Sequence, residues 1–331
     1  MPELPEVQTT INGLNQKVLL RTFVDVWSDW GKIVRLRSSF DGATAGQVKK
    51  PKDFEQFKKE IKNKKIKKIW RRAKNIIFDL SDGHSLLVHQ KMTGHFLIGY
   101  WVLDDGCWKP KQKGVLQEKV NTYIHLMFWL SGNLMLALSD VRKFAKVELW
   151  KTNELLNSEE FKNLGPEPLD KKFTLEKFKD ALKNKKSRLR FNGDAARQGK
   201  TLLRPSLNSG LRKGKIKQIL MNPEIIAGIG NIYSSEILWQ ARIHPEKNIA
   251  KLSEKELKLL YQAIKKVLKL GVKLGGESFS DYRRVDGSKG DFDTERKVYQ
   301  KEGQKCSRCG AKIKRIKLGG RSAFFCPNCQ R

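Results

Sequence analysis

Leu164-Gly165-Pro166-Glu167-Pro168-Leu169 divides the chain into two kinds of pattern. Two prolines and a glycine within six residues interrupt any regular element, and the periodicity differs on either side. Upstream, short β-branched or aromatic runs alternate with turn residues. Residues 74–80 are followed by Ser81-Asp82-Gly83 and a second run at 85–89; residues 123–130 are followed by Ser131-Gly132-Asn133 and a run at 134–138. This spacing over residues 21–150 predicts an antiparallel sheet or sandwich. Pro5 suits the first turn of a preceding helix, with Val7, Ile11 and Leu14 on one face.

Downstream the period becomes helical. A short helix is expected over residues 216–221. Ala227-Gly228-Ile229-Gly230-Asn231 permits a tight turn, with Asn231 expected to cap a helix running to Arg242. Ser253-Glu254-Lys255-Glu256 reads as a capping box opening a long helix whose inner face carries Leu257, Leu260, Ile264, Val267 and Leu268. A basic stretch at about 185–215 has no clear period and reads as an insertion or linker. The fold class expected is α+β and multidomain: a β-sandwich domain with its N-terminal helix at 1–150, a helical domain at 151–295 and a metal-binding ribbon at 296–331.

The 331 residues carry 67 Lys and Arg against 35 Asp and Glu, a formal charge of +32, and the pI is near 10.0. Such an excess calls for a polyanion, although lysine-rich stretches such as 58–68 also suit a solvated helix face, and charge does not separate DNA from RNA or ribosome. No apolar run reaches the length of a membrane span, and the first residues lack the regions of a signal peptide, so no membrane association and a cytoplasmic, nucleoid-associated location are expected. Four of the five cysteines form two Cys-x-x-Cys pairs, Cys306/Cys309 and Cys326/Cys329, separated by sixteen residues. A redox pair or an iron–sulfur site would use the same residue type, but two matched pairs around basic β-type sequence favour one structural Zn2+, held without an open coordination position.

The amino terminus has chemistry of its own. Met1 precedes a small residue, and its removal would free the secondary amine of Pro2. An α-amine is far less basic than a lysine, and at a helix start among cations it is poised as a neutral nucleophile able to attack C1′ of a deoxyribose. The resulting iminium is an electron sink that labilises the neighbouring phosphates. Glu3 and Glu6 stand beside it as possible proton donors. Taken alone, Pro-Glu at an amino terminus equally signals a helix start.

These features occur together with other motifs. Met1-Pro2-Glu3-Leu4-Pro5-Glu6-Val7 opens the chain and Gly320-Arg321-Ser322-Ala323-Phe324-Phe325-Cys326 lies near its end. Between them are Arg71-Arg72-Ala73-Lys74, Met92-Thr93-Gly94, Asp140-Val141-Arg142-Lys143-Phe144 and Gly228-Ile229-Gly230-Asn231-Ile232-Tyr233. With these motifs in order, the chain closely resembles the formamidopyrimidine-DNA glycosylase family, related to endonuclease VIII. The resemblance implies a β-sandwich, a helix-two-turn-helix domain and a zinc ribbon, with damaged double-stranded DNA as partner and a monomeric enzyme. It implies that Pro2 forms a Schiff base, that Glu3 is general acid, that Lys74 assists elimination and grips phosphate, and that Arg321 supports a second elimination. An enzyme working on a base must take it out of the stack and fill the gap. By the same resemblance Met92, Arg142 and Phe144 are the void-filling side chains, Asn231 holds a backbone phosphate, and Glu6, His125, Arg212 and Lys217 are further DNA-contacting positions.

The chain departs from the family pattern at His89-Gln90-Lys91, where His-Leu-Gly is usual, at Asn75 for Tyr and at Ala145 for Gly. The regions 101–121 and before Lys215 are longer than usual. Leu4, Val7 and the loop Gly275-Gly276-Glu277-Ser278-Phe279-Ser280-Asp281-Tyr282 favour the oxidised-purine branch, in which that loop would cap a flipped 8-oxoguanine. The function expected is a bifunctional glycosylase and apurinic/apyrimidinic lyase acting by β,δ-elimination. The alternatives are an oxidised-pyrimidine glycosylase of endonuclease VIII type and a non-catalytic nucleic-acid-binding protein.

Overall fold

The computed structural model describes residues 1–37, 51–183, 214–278 and 281–331. Arg212 and nearly all of the 185–215 insertion lie outside the described residues. The chain gathers into two compact units, one of residues 1–162 with 271–294, the other of 163–270 with 295–331.

The first unit opens with α1 (Leu4–Lys17), followed by β1 (Phe23–Trp27), β2 (Val34–Arg37), α2 (Pro51–Ile61), β3 (Ile66–Arg72), β4 (Asn75–Leu80), β5 (His84–His89) and β6 (His95–Gly99). Then come the β7–β8 hairpin (Trp101–Asp104, Cys107–Pro110), β9 (Ile124–Leu130), β10 (Met135–Ser139), β11 (Lys146–Lys151), α3 (Thr152–Asn157) and α4 (Glu159–Lys162). The strands form a four-stranded sheet, β1-β9-β10-β6, and a five-stranded sheet, β2-β11-β5-β4-β3. Pairing is antiparallel throughout these sheets except between β2 and β11.

Alternation explains the sandwich. Leu126, Phe128 and Leu130 of β9, with Leu136 and Leu138 of β10, share one core with Val88 and Val147 of the other sheet. The intervening Met127, Met135 and Ala137 point the other way, into a second cluster with Trp101 and Leu116 that Trp108 completes. Both faces of β9 and β10 are therefore covered, which is why their sequences are almost wholly apolar. Much of the lengthened 101–121 region is thus a cover for this sheet. Val7, Ile11 and Leu14 of α1 enter the main core, as the helical period predicts.

The second unit holds α5 (Leu175–Lys183), α6 (Ile216–Leu220), α7 (Asn231–Ala241) and most of α8 (Glu254–Lys273). After the short α9 (Phe292–Glu295) comes the hairpin β12 (Lys314–Leu318) and β13 (Arg321–Phe325). Gly165 of the dividing segment donates its N–H to Pro223 O at 2.8 Å, and a Cβ there would meet the Ile225 carbonyl at 2.5 Å, so glycine alone fits. The capping box forms: Glu256 N–H donates to Ser253 Oγ at 3.2 Å and Ser253 N–H to Glu256 Oε2 at 3.0 Å. Asn231 departs from expectation. Gly230, in extended backbone, takes the cap position of α7 and Asn231 becomes its first helical residue. No helix among the described residues is long and apolar enough to cross a membrane.

Candidate active site and nucleic-acid interface

At the start of α1, Pro2, Glu3 and Glu6 are all buried. Glu6 ties the terminus down: its Oε2 accepts the Glu3 N–H at 2.7 Å and its Oε1 accepts the Glu277 N–H at 2.7 Å. The Tyr282 hydroxyl donates to Glu6 O at 3.0 Å, and burial pushes that phenol well above its ordinary value. The loop expected to cap a flipped base is thus fastened to the helix carrying the candidate acids, while Phe279 and Ser280 lie outside the described residues. The amine at the terminus is that of Met1, one residue ahead of Pro2. Burial holds it below its ordinary value, Lys74 pushes the same way, and Glu3, Glu6 and Asp281 oppose them. Pro2, Glu3 and Lys74 are therefore brought together around one amine.

Lys74 owes its place to a two-residue turn between β3 and β4, closed by the pair Arg72 and Asn75. Ala73, the first turn residue, has φ 53, a left-handed conformation costly to a residue with a Cβ. Arg71 braces it by donating from Nη1 to Ala73 O at 2.8 Å.

Two further connections present the candidate void-filling side chains. Between β5 and β6, Gly94 N–H returns to Gln90 O at 3.1 Å. A Cβ on Gly94 would stand 2.6 Å from that carbonyl, so this tight loop requires glycine and projects Met92. Between β10 and β11 come Val141, Arg142, Lys143 and Phe144, all exposed, with the Arg142 guanidinium 4.6 Å from the Phe144 ring centroid. Met92 is 39% and Phe144 49% exposed, which rules out the sheet-core role that such residues ordinarily have.

Fully buried Asp140 links these loops. Its Oδ2 accepts the N–H groups of Phe144 and Ala145, each at 2.7 Å, while Oδ1 accepts the Thr93 hydroxyl and the Arg142 N–H at 3.3 Å. Arg142 N–H also reaches Thr93 Oγ1 at 3.1 Å. Neither Asp140 nor Thr93 stands out by spacing in the sequence. The available signal was an acidic residue ending an apolar strand just before a turn, where a carboxylate caps backbone amides. His125 is buried, its Nδ1 2.9 Å from Asp29 Oδ2, and Lys143 approaches the same carboxylate at 3.8 Å.

In the second unit, Lys217 is buried. Its Nζ donates to Asn231 O at 3.1 Å, Ser234 Oγ at 2.9 Å and Ser235 Oγ at 2.7 Å. This cation pins α6 to the start of α7. The Asn231 Oδ1 is buried without a hydrogen-bond partner among the described residues. Arg321 stands exposed at the start of β13, directly after the Gly319-Gly320 turn.

The four cysteine sulfurs lie within 4.8 Å of one another, a spacing compatible with tetrahedral Zn–S bonds of about 2.3 Å. The Ala311 N–H, followed by the Cys329 side chain, lowers Cys309 to about 6. Burial, and then the neighbouring sulfurs, pushes Cys329 up to about 12. Sulfurs this close repel when ionised, so a dication is what lets all four be thiolates. The Trp239 indole N–H donates to Cys306 Sγ at 3.5 Å, and Arg308 stacks on Trp239 at 3.9 Å. The set fits one structural zinc ion, which folds the hairpin carrying Arg321.

Comparison with known proteins gives the same picture from end to end. Residues 1–147 match the formamidopyrimidine-DNA glycosylase N-terminal domain, 199–283 the formamidopyrimidine-DNA glycosylase H2TH domain, and 303–331 a zinc finger found in FPG and IleRS. The formamidopyrimidine-DNA glycosylase of Lactococcus lactis subsp. cremoris is 34% identical over 333 residues, with all of both chains covered. That of Desulfitobacterium hafniense is 33% identical over 330 residues, again covering both chains fully. Among solved structures, the complex between the Lactococcus lactis Fpg and abasic-site DNA superposes with a TM-score of 0.75 at 32% identity, covering 99% of each chain. A Lactococcus lactis FPG complex with FAPY-dG DNA gives a TM-score of 0.73, covering 99% of this chain and 100% of the other. The domain matches, the full-length relatives and the shared fold show that this chain belongs to the formamidopyrimidine-DNA glycosylase family, the DNA glycosylases of base excision repair.

Proposed function

We propose that the protein removes oxidised purines, 8-oxoguanine and formamidopyrimidines, from double-stranded DNA and then cuts the strand by β,δ-elimination, with Pro2 as nucleophile. The observation that carries this reading is the cluster at the head of α1: a buried proline beside Glu3 and Glu6, with Lys74 near enough to depress the terminal amine. Once Met1 is removed, a neutral Pro2 nitrogen attacks C1′ and the base leaves with the bonding pair. Glu3 supplies a proton to the departing base or to the ring oxygen; the Pro2 nitrogen, having shed its own proton, then expels O4′ from C1′, which opens the sugar ring and leaves an iminium. The iminium draws electrons as the flanking phosphates leave in turn, Lys74 assisting the first elimination and Arg321 the second.

Met92, Arg142 and Phe144 fill the space of the everted nucleotide, Arg142 facing the orphaned base. Asn231, braced by Lys217, holds a phosphate at the start of α7. Glu6 meets the lesion through the loop it anchors, His125 acts with Asp29 and Lys143, and Arg212 adds a phosphate contact. The solved Lactococcus lactis complexes with abasic-site and FAPY-dG DNA support both the partner and the purine branch. In this reading the working parts are residues 1–150, 151–295 and 296–331, and the enzyme is a monomer of the cytoplasm acting at the nucleoid.

The test is borohydride trapping with a duplex carrying 8-oxoguanine, using protein whose first residue is verified as Pro2. A covalent protein–DNA adduct is expected, with much less when thymine glycol replaces the purine. A reversed preference would move the enzyme to the pyrimidine branch. Trapping with neither lesion would leave only a DNA-binding protein.

A further inference from the structure

The outer face of the five-stranded sheet carries a group of cations that the chemistry above does not use. β11 is the centre: Lys146 pairs with His89 of β5, Glu148 with Arg35 of β2, and Trp150 with Arg37. Paired residues project to the same side of a sheet, and the alternate residues Val34, Val147 and Leu149 fill the core. Lys146, Arg35, Arg37 and His89 therefore share the opposite face. Buried Glu148 gathers Arg37 at 3.0 Å, Lys146 at 3.8 Å and Arg35 at 3.9 Å, one carboxylate among three cations. The Arg35 Nε is buried without a hydrogen-bond partner among the described residues.

Lys91 adds a fourth cation just beyond β5. Its φ is 54, left-handed and costly for lysine, and its backbone N–H donates to His89 Nδ1 at 2.9 Å. Burial and then Lys146 hold its ammonium below the ordinary lysine value, against the pull of Glu160 and Glu148. Burial brings His89 to about 3, with Lys91, Lys74 and Lys146 contributing, so its ring is neutral and Nε2 is a donor. His89 thus pairs with Lys146 and accepts from Lys91, while Lys146 and Arg35 share Glu148. Fixed like charges persist at such cost where an anion is to be met.

We propose that Lys91 and Lys146, with Arg35 behind them, bind backbone phosphates of the DNA strand beyond those gripped at the active site. The ligand class is a run of phosphodiesters, with no base readout. This extends the proposed DNA-repair function and rests on it.

The test is lesion-duplex affinity measured across a salt series for the full zinc-loaded chain and for K91N, K91R, K146A and K91N/K146A. Asparagine accepts the left-handed backbone, so K91N removes the charge while keeping the loop. Each lost phosphate contact is expected to lower the slope of log K against log salt by about 0.9, weakening binding roughly five- to tenfold near 0.1 M salt. K91R should keep the parental slope. Equal slopes for parent and double variant would overturn the inference while leaving the enzyme reading intact. Failure of the parent itself to bind lesion duplex would overturn both.

Discussion

At the scale of single residues, Asp140 shows how one buried carboxylate organises a reactive surface. It accepts from Thr93 in one loop and from Arg142, Phe144 and Ala145 in another, so it ties together the two loops that carry the candidate wedge residues. Asp140→Ala would strand those backbone donors, and hydrogen bonds to a charged acceptor contribute about 1.5–3 kcal/mol each. A loss of about 3 kcal/mol in urea unfolding is expected. Preference for lesion over undamaged duplex should collapse while undamaged-DNA affinity changes little. Retained preference would show that the wedges are positioned otherwise. His89 makes a pH prediction. Its folded value is about 3 against an ordinary 6.5, so below pH 6.5 the unfolded chain takes a proton that the folded chain refuses. The stabilisation is present above pH 6.5 and is lost as pH falls toward 3, by at most about 1.4 kcal/mol per unit. His89→Gln should flatten stability against pH between 6 and 4, measured by denaturant midpoints.

At the scale of elements, the site is built on connections, and the sheets hold them still. Ala73, Lys91 and Lys143, one in each of the three loops, all have positive φ, strain of order 1 kcal/mol apiece that packing beneath must sustain. α7 serves as a second platform. Its buried Glu236 accepts the N–H groups of Lys297 at 2.8 Å, Val298 at 3.0 Å and Tyr299 at 2.8 Å, joining helix to the approach to the zinc hairpin. Burial raises this carboxyl above the usual range, against the pull of those same amides. Glu236→Ala should destabilise the second unit by about 3 kcal/mol. The amides of 297–299 should lose hydrogen-exchange protection first; protection that survives would show that another group holds the segment.

At the scale of the whole molecule, zinc joins the fold to the proposed chemistry, because the ribbon that carries Arg321 builds a small core of Val298, Ile313 and Phe324 around its cysteines and packs it on Trp239. Removing the metal with a chelator should abolish strand cutting and shift indole emission in step with zinc release, and Trp239→Phe should remove most of that emission change. Cutting that persists without zinc would mean Arg321 is placed by the protein alone. Much of this was legible in the linear chain. Segregated strand and helix periods, the paired cysteines, the capping box of α8 and the motif residues are all local, set by spacings of two, three or four residues that neighbours along the chain satisfy. The resemblance added Pro2, Glu3, Lys74 and Arg321, whose roles no periodicity could assign. What the chain alone left open depends on partners distant in sequence. Asp140 meets Thr93 across 47 residues and Glu6 meets Glu277 across 271. Gly230 displaced Asn231 from the cap because the backbone, and not side-chain preference, decided where α7 begins. Lys217, in sequence one more cation, is buried because three oxygens of α7 converge on it. Burial and charge proximity are sums over the folded neighbourhood, so only the tertiary structure decided which of these cations are buried within the fold and which stay exposed.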